Sequence, residues 1–463
     1  MIEIKDVSYR YKESSNYSLK RINCKIKKGE CVLVTGSSGS GKSTFTRLIN
    51  GLIPKEYIGS FSGQIKIDGI NLEMLEMWEI ASKVGSVFQN PRNQFFSLDT
   101  TGEIVFGMEN LAFSSIEMKK NFDETIKDLR VEYLLDKDIF NLSGGEKQLI
   151  AIASIYALKP EIYIMDEPSA NLDKMNILKL RNIIKILKSM GKTIVVAEHR
   201  IYYLMDLIDR MIYMDKGKID KEFSKEELVQ MKGGELKKLG IRSFYPVEIE
   251  PSFKEFSEKG ENILEVKNLQ LPYGRNKNTV SFTLKENEIM GLIGSIGCGK
   301  TSLGRTLSGL IKEKSGQVYY YGKLLSMKER SRKIYMVMQD PDYQLFMESI
   351  QEELELANLE HYKKKELSKI SYVLEELDLL EYKDEHPMAL SGGQKQRVSV
   401  GVSLMMNSQI IIFDEPTSGL DYRNMLRVSK LIKELSDRGK AIIVISHDNE
   451  FINNTCTKVF RLD

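Results

Sequence analysis

The fold of this chain is decided by a glycine-rich stretch, Gly36-Ser37-Ser38-Gly39-Ser40-Gly41-Lys42-Ser43. A short apolar run at residues 31–35 comes before it, and apolar residues at helical spacing come after it. This order predicts a strand, a tight loop and a helix. The pattern G-x-x-x-x-G-K-[ST] in such a setting predicts a loop whose backbone N–H groups surround the phosphates of a nucleotide.

The same stretch occurs again 258 residues later, as Gly294-Ser295-Ile296-Gly297-Cys298-Gly299-Lys300-Thr301. We expect Lys42 and Lys300 to contact the β and γ phosphates, while the positive end of the following helix attracts the same groups. Ser43 and Thr301 would each offer a hydroxyl to Mg²⁺. The residues predicted to bind the nucleotide in the two loops are Gly36, Ser37, Ser38, Gly39, Ser40, Gly41, Lys42, Ser43, Thr44, Gly294, Ser295, Ile296, Gly297, Cys298, Gly299, Lys300, Thr301 and Ser302.

Further motifs repeat in the same order, which indicates two copies of one domain. Leu142-Ser143-Gly144-Gly145 recurs as Leu390-Ser391-Gly392-Gly393, and Asp166-Glu167 recurs as Asp414-Glu415, both at an offset of 248. We therefore expect a first domain at residues 1–220 and a second at residues 262–463. The segment between them, residues 221–261, is rich in Lys and Glu and contains glycines and prolines, so we expect a charged linker there.

Strand and helix signals alternate within each predicted domain. The runs at residues 162–165, 194–197, 410–413 and 442–445 are almost continuously apolar, as is typical of parallel strands covered on both faces. We expect the α/β class, with a mainly parallel sheet in each of two tandem domains. Functional side chains should then collect at the carboxyl ends of these strands.

Two acidic pairs lie at such strand ends. We expect Asp166 and Asp414 to face Mg²⁺, and Glu167 and Glu415 to act as general bases toward the attacking water. Acidic pairs after strands also cap helices, so for either pair alone a purely structural role as a helix cap stays open. His199 and His447 share the offset of 248 and are interpreted as sensors of the γ phosphate. A lone histidine at a strand end is more often structural.

The sequence Leu-Ser-Gly-Gly precedes an apolar helix in both copies. A serine beside two glycines at a helix start exposes unpaired N–H donors. The order of phosphate loop, glutamine, Leu-Ser-Gly-Gly, Asp-Glu strand end and histidine resembles the ATP-binding-cassette (ABC) ATPases. The resemblance covers both copies. It implies P-loop NTPase domains of the ABC type, each with a small antiparallel β part and a helical signature subdomain, that hydrolyse ATP with Mg²⁺.

In that family two cassettes pack head to tail, with each ATP between the phosphate loop of one and the signature of the other. By resemblance, Lys42 would face the signature Ser391, Gly392 and Gly393. Lys300 would likewise face Ser143, Gly144 and Gly145. Tyr11 resembles the aromatic residue that stacks on adenine, with Tyr273 as its weaker counterpart. Gln89 and Gln339 resemble the glutamines that touch the metal or the attacking water.

Composition limits the functions that the chain can have. It holds 67 Lys and Arg against 65 Asp and Glu, for a net charge of +2, which disfavours a general polyanion binder. No stretch reaches the 18 or so apolar residues of a membrane-spanning helix. The first residues lack the apolar region of a secretory signal, and four scattered cysteines make no disulfide framework. These features predict a chain that stays in the cytosol.

The glutamine segments indicate the process that ATP drives. Gln89-Asn90-Pro91-Arg92-Asn93-Gln94-Phe95-Phe96 and its repeat at residues 339–346 resemble the ATPases of energy-coupling-factor importers, as does Ala197-Glu198-His199-Arg200. The resemblance implies uptake of a vitamin or of cobalt or nickel. It also implies a transmembrane coupling subunit and a substrate-binding membrane subunit as partners, no nucleic acid, and a peripheral position on the cytoplasmic face of the cell membrane.

Residues 339–360 contain seven acids and neither Lys nor Arg. We hypothesise that this face docks basic helices of the coupling subunit, although a solvated acidic face would have the same composition. Two alternatives also stay open for the function. One is a soluble twin-cassette ATPase acting on ribosomes or nucleic acid, which the mixed-charge linker and small net charge disfavour. The other is the ATPase of a sugar-type ABC importer.

Overall fold

The computed structural model describes residues 1–12, 14–170, 172–231, 233–250, 261–272, 279–295, 297–357 and 367–462. The chain divides into two compact units, Met1–Pro246 and Val247–Asp463. Among the described residues, each unit holds a four-stranded antiparallel sheet and a larger sheet that is mainly or wholly parallel. The predicted α/β architecture is therefore confirmed in both copies.

The first unit begins with the antiparallel strands and ends with two short helices. Its elements are β1 (Ile2–Tyr11), β2 (Leu19–Ile26), β3 (Cys31–Gly36), α1 (Lys42–Ile49), α2 (Leu52–Lys55), β4 (Gly59–Ile67), β5 (Ile70–Asn71), α3 (Met77–Lys83), β6 (Val84–Val87), α4 (Thr100–Asn110), α5 (Ser115–Leu129), α6 (Gly144–Ala157), β7 (Ile162–Asp166), α7 (Lys174–Ser189), β8 (Thr193–Ala197), β9 (Arg210–Asp215), β10 (Lys218–Ser224), α8 (Lys225–Gln230) and α9 (Gly233–Leu239).

The second unit repeats this order with fewer elements. Its elements are β11 (Asn262–Gln270), β12 (Val280–Lys285), β13 (Ile289–Ile293), α10 (Lys300–Leu307), β14 (Ser315–Tyr320), β15 (Lys323–Leu324), α11 (Met327–Lys333), β16 (Ile334–Val337), α12 (Ile350–Ala357), α13 (Leu367–Glu376), α14 (Gly392–Met405), β17 (Ile410–Asp414), α15 (Tyr422–Asp437), β18 (Ala441–Ile445), α16 (Asn449–Thr455) and β19 (Lys458–Arg461).

The large sheets carry the functional strand ends. Their strand orders are β10-β9-β3-β8-β7-β6 in the first unit and β16-β17-β18-β13-β19 in the second. Within the large sheet of the first unit, the described pairs are parallel except for β9–β10, which is antiparallel. The central strands β3, β7 and β8 are buried along their whole length, as their continuous apolar runs predict. Their carboxyl ends, with the phosphate loop and the acidic pair, therefore meet at one edge.

Each large sheet lies between two layers. In the first unit, one face of β3, β7 and β8 packs on α4, α6 and α7, and the opposite face packs on α1 and on the antiparallel sheet. Helices α4 and α5 also pack against α6, which forms a helical subdomain around the Leu-Ser-Gly-Gly motif. The second unit packs in the same way, with α12, α13 and α14.

The structure divides the chain differently from the expected linker at residues 221–261. Strand β10 continues past residue 220, and α8 and α9 follow it within the first unit. Leu228, Leu236, Ile241 and Phe244 are buried in the core of that unit. The charged residues between them lie on the outer face of α8 and α9. The composition of the segment therefore indicated a linker and not a packed part of the first unit. No helix in the described part of the chain has the length and apolarity to span a bilayer.

Candidate functional site

The two phosphate loops have the same local geometry. Helices α1 and α10 begin at Lys42 and Lys300, directly after Gly41 (φ 100°) and Gly299 (φ 106°). A Cβ atom on Gly41 would lie 2.5 Å from the carbonyl oxygen of Ser18. Glycine is therefore required here both by backbone angle and by space.

The loop lysines are buried and folded over their own loops. Lys42 Nζ donates to the carbonyl oxygens of Gly36 (3.1 Å) and Ser37 (2.9 Å). Lys300 Nζ donates to Gly294 (2.9 Å) and Ser295 (3.0 Å) in the same way. Each ammonium group therefore lies in the concave side of its loop, where a phosphate group would find a positive charge.

Other loop residues vary between the copies. Ser37 Oγ lies 3.4 Å from Asp215 Oδ1, and Ser40 is buried. Cys298 is buried as well, with its Sγ atom 3.9 Å from Lys300 Nζ. Ile296 lies outside the described residues, as does Tyr273. The loop as a whole is thus built alike in both units, whereas its variable side chains differ.

The hydroxyl and the aspartate of the predicted magnesium site lie together in each unit. Thr301 Oγ1 donates to Asp414 Oδ1 over 3.3 Å, and the hydroxyl of Ser43 bonds the Asp166 carboxyl group in the same manner. Asp166 Oδ1 is buried and has no hydrogen-bond partner among the described residues. A buried carboxylate oxygen beside a hydroxyl suits a hard divalent cation such as Mg²⁺.

Burial also raises the pKa of both aspartates. Desolvation raises the pKa of Asp414 to about 6, against the opposing effect of the Thr301 hydroxyl. Desolvation, followed by the nearby charge of Glu167, raises the pKa of Asp166 above its usual range. A bound cation would compensate this cost, since a nearby positive charge favours the ionised carboxylate.

The two glutamates follow directly after strands β7 and β17. Both have a left-handed backbone, with φ 45° at Glu167 and 49° at Glu415, which is costly for a residue other than glycine. The backbone N–H of Glu167 donates to Ala197 O (2.8 Å), and that of Glu415 donates to Ile445 O (2.9 Å). Such strain, held by the neighbouring strand in both copies, is typical of functional sites.

The glutamate side chains meet the predicted sensors. Gln89 Nε2 donates to Glu167 Oε2 over 2.7 Å, and His199 Nε2 lies 3.3 Å from Glu167 Oε1. In the second unit His447 Nε2 lies 3.8 Å from Glu415 Oε1, and the side chain of Gln339 is exposed. The predicted base, histidine and glutamine are therefore brought together in the first unit.

The signature serines begin helices. Ser143 caps α6, and its backbone N–H and hydroxyl both donate to Glu146 Oε2, over 2.9 and 2.7 Å. Ser391 caps α14, and its N–H donates to Gln394 Oε1 over 2.9 Å. The side chains of both serines are exposed. The first signature therefore carries a carboxylate at the place where the second carries a neutral amide.

Tyr11, the predicted adenine-stacking residue, lies against the start of α1. Its hydroxyl is 3.3 Å from Thr44 Oγ1 and accepts a hydrogen bond from Arg47 Nη1 over 3.0 Å. Its ring makes edge contacts with Tyr9 and Tyr57. The aromatic candidate is thus held beside a residue of the phosphate loop.

Sequence reasoning missed two buried glutamates that shape the glutamine loops. Glu103 Oε2 accepts hydrogen bonds from the N–H groups of Phe96 and Ser97, both at 2.9 Å. Glu353 Oε1 accepts from Phe346 and Met347. The two glutamates are 250 residues apart, the same offset as between Gln89 and Gln339, and this repeat was the available signal.

Sequence comparison agrees with this geometry. The profile of the ABC transporter family matches residues 19–170 and 277–418, which hold both phosphate loops, both signatures and both acidic pairs. The chain belongs to the ABC transporter family. It is an ABC-type ATPase with two cassettes, the first and second units, and ABC ATPase domains bind ATP, generally with Mg²⁺.

Relatives match this chain over most of their length. A candidate ABC transporter ATP-binding protein of Treponema denticola is 42% identical, with 100% of this chain and 95% of the relative covered. A candidate HMP/thiamine import ATP-binding protein, YkoD of Bacillus subtilis, is 32% identical, with 100% and 90% covered. Among solved structures, the archaeal ribosome recycling factor aABCE1 covers 98% of this chain and 87% of its own, with a TM-score of 0.64 and 21% identity. That likeness shows the shared fold alone.

Proposed function

We propose that this chain is the ATP-hydrolysing subunit of an ABC-type importer of the energy-coupling-factor class. The observation that carries the proposal is its full-length similarity, at 32% identity, to a twin-cassette relative named for HMP/thiamine import. The proposed cargo class is accordingly a vitamin, with a transition-metal ion as the second choice. The chain would work at the cytoplasmic face of the cell membrane, held there by a transmembrane coupling subunit beside a substrate-binding membrane subunit.

The proposed chemistry uses the same groups in each cassette. Lys42 and Lys300 would bind the phosphates, and the Ser43–Asp166 and Thr301–Asp414 pairs would hold Mg²⁺. When bound, the metal ion would neutralise charge that develops on the transferred phosphoryl group. In each cassette the histidine lies beside the glutamate, and Glu167 or Glu415 would take a proton from an attacking water.

We further propose that each signature completes the nucleotide site of the other cassette. Ser143 and Ser391 cap the first turns of α6 and α14, and the glycines that follow them, Gly144 and Gly392, are exposed; helix N-termini attract phosphate groups. Hydrolysis would then require both cassettes, so that a defect in one signature reduces turnover at the site built on the opposite lysine.

An exposed apolar surface beside the glutamine loop supports a membrane partner. In the first cassette, Phe96 and Phe140 are exposed by 75% and 73%, and Leu98 by 74%. The loops that carry them meet, since the N–H of Ile139 donates to Leu98 O over 3.0 Å. Phe96 also stacks on Phe106. An apolar helix of the coupling subunit is a suitable occupant, because it would cover side chains that otherwise face water.

The equivalent surface recurs in the second cassette. Phe346 and Met388 are exposed by 71% and 55%, at the positions that correspond to Phe96 and Phe140 in the repeat. Two equivalent surfaces suit a partner that contacts both cassettes. We name Phe96, Leu98 and Phe140 the first docking surface, and Phe346 and Met388 the second.

The hypothesis of an acidic docking face at residues 339–360 needs a correction. Glu353 is buried and binds the backbone of its own loop, and Asp342 pairs with Lys395 over 2.7 Å. Glu360 lies outside the described residues. Of the seven acids, Asp342, Glu348 and Glu352 have exposed side chains in the described part, and Asp342 is the one of these three that is paired with Lys395. Charge is therefore a weaker argument for docking here than the apolar surfaces.

A ribosome-associated ATPase is the second candidate function. It is considered because an archaeal ribosome recycling factor shares the fold. At 21% identity this likeness does not reach beyond the fold, whereas the relatives at 42% and 32% identity are named as ATP-binding proteins of an ABC transporter and of HMP/thiamine import. A sugar-type importer remains compatible with the cassettes themselves, since they contact nucleotide rather than solute.

Co-purification separates these functions. A tagged chain is expressed in its own host, extracted with mild detergent, and its companions are identified by mass spectrometry. Integral membrane proteins should accompany the wild type and be lost from Phe96→Ser/Phe140→Ser, with basal ATPase activity kept. Ile116→Ser, at another exposed apolar residue on α5, is the matched control. Ribosomal proteins as the companions would overturn the importer proposal.

A further inference from the structure

The residue before each predicted sensor histidine differs between the cassettes. Glu198 follows strand β8 and precedes His199, whereas Ser446 follows β18 and precedes His447. Both side chains are buried, with 2% and 1% of their surface exposed. Two such different side chains at equivalent buried positions must have different hydrogen-bond partners.

Ser446 contacts the predicted base directly. The backbone N–H of Asp448 donates to Ser446 Oγ over 3.1 Å, and Oγ lies 3.2 Å from Glu415 Oε2. An ionised carboxylate can only accept, so the hydroxyl proton of Ser446 must point at Glu415. The backbone N–H of His447 also donates to Glu415 Oε1 over 3.1 Å. The strand end thus holds the carboxylate with two donors.

Glu198 instead accepts hydrogen bonds from groups around the end of β8. Its Oε2 atom accepts from the N–H groups of His199 (2.8 Å) and Arg200 (3.3 Å). Its Oε1 atom accepts from the Ser169 N–H (3.2 Å) and the Tyr203 hydroxyl (2.9 Å). The backbone N–H that points at the base in the second cassette is therefore taken by Glu198 in the first.

We propose that Ser446 is a positioning residue, which holds Glu415 in the orientation that accepts a proton from the attacking water. The inference rests on the proposed role of Glu415 as the general base. Its physical basis is the chain of donors from Asp448 N–H through Ser446 Oγ to the carboxylate, which fixes the direction of one carboxylate oxygen. In the first cassette, Gln89 and His199 contact the carboxylate of Glu167 instead. The two cassettes therefore position their predicted bases with different residues.

The test isolates the second cassette. ATPase activity is measured in a Glu167→Gln background, in which Glu415 is the remaining predicted base. Ser446→Ala should lower kcat about tenfold, because one hydrogen bond to a charged group is lost. The KM for ATP should stay unchanged, since Ser446 touches the base and not the nucleotide. Ser446→Thr, which keeps the hydroxyl, should restore most of kcat.

A matched control accounts for lost stability. Ser429→Ala removes another buried hydroxyl, which donates to the carbonyl of Asn454 over 3.2 Å, and it should leave kcat and KM unchanged. Full kcat in Ser446→Ala, or failure of Ser446→Thr to restore a lost kcat, overturns the positioning role. Full activity in Glu167→Gln/Glu415→Gln would instead show that the base itself is wrongly assigned, so the two failures are distinguishable.

Discussion

Gln89 Nε2 donates a hydrogen bond of 2.7 Å to Glu167 Oε2. This bond joins the loop beside the first docking surface to the predicted base of the first cassette, across 78 residues of sequence. Movement of the glutamine loop would change the orientation of the carboxylate, because the bond fixes one of its two oxygens. If the proposed function holds, nucleotide chemistry and partner docking would share this one contact.

The first prediction concerns the bases themselves. Glu167→Gln and Glu415→Gln should each lower the steady-state ATPase rate, and the double variant should lose at least about 100-fold, as expected when general bases are removed. Glu109→Gln, at an exposed position on α4, is the control and should keep the full rate. A wild-type rate in both single variants would contradict the assignment of two hydrolytic sites.

The second prediction concerns the glutamines. In the Glu415→Gln background, Gln89→Ala should lower kcat about tenfold, because Glu167 loses a hydrogen bond to its charged group. In the Glu167→Gln background, Gln339→Ala should have a smaller effect, since Ser446 and the His447 N–H hold Glu415. Equal losses in the two backgrounds would show that the cassettes hold their bases alike.

The third prediction concerns Glu103, which is 3% exposed and binds two backbone N–H groups through one oxygen. Burial raises the pKa of Glu103. A raised pKa in the folded state gives stability that is present below the pKa of the unfolded chain and is lost as pH rises through the folded value. Glu103→Gln keeps an acceptor oxygen without the buried charge, so its unfolding free energy should exceed that of the wild type increasingly toward neutral pH.

Urea unfolding at pH 5 and pH 8 measures this effect. Glu103→Ala serves as the comparison, because it leaves the Phe96 and Ser97 N–H groups without their acceptor and should lose about 1–3 kcal/mol at both pH values. If Glu103→Gln were destabilised as much as Glu103→Ala, the ionised carboxylate would itself be needed to hold the loop.

The strands and phosphate loops could be predicted from sequence because their signals are local. Strands such as β7 are continuous apolar runs, and the loop glycines are required by backbone geometry at Gly41 and Gly299. The sequence around residues 225–238 shows a short helical pattern, but the packing of α8 and α9 into the first unit could not be predicted, since Leu228 and Leu236 lie among charged residues and their burial depends on distant partners.

Side-chain networks were beyond sequence reasoning for the same reason. Ser446 and Glu415 are 31 residues apart, and a serine has no local signal that identifies its acceptor. Glu353 looked like one acid among seven, because composition does not show which side of a helix faces the core. The repeat was the one long-range signal in the sequence, and it correctly paired residues without revealing their contacts.

The last prediction concerns Arg330, a buried residue whose equivalent in the first cassette is apolar. Arg330 on α11 is 1% exposed, and its Nε and Nη1 atoms have no hydrogen-bond partner among the described residues. Its guanidinium pairs with Glu313, whose side chain is 24% exposed. The equivalent position on α3 is Ile80, which is buried as well. The second cassette thus holds a charge where the first holds an apolar side chain.

Arg330→Ile should therefore cost the second cassette less stability than Glu313→Gln does, because it removes the desolvation cost of the buried guanidinium together with its pair to Glu313. The carboxylate of Glu313 can then be hydrated, since it is partly exposed. Glu313→Gln should destabilise by about 3 kcal/mol, because it leaves the buried guanidinium without its counter-charge. Urea unfolding of both variants measures the difference, and a large loss in Arg330→Ile would show that the guanidinium has a structural role which its contacts do not account for.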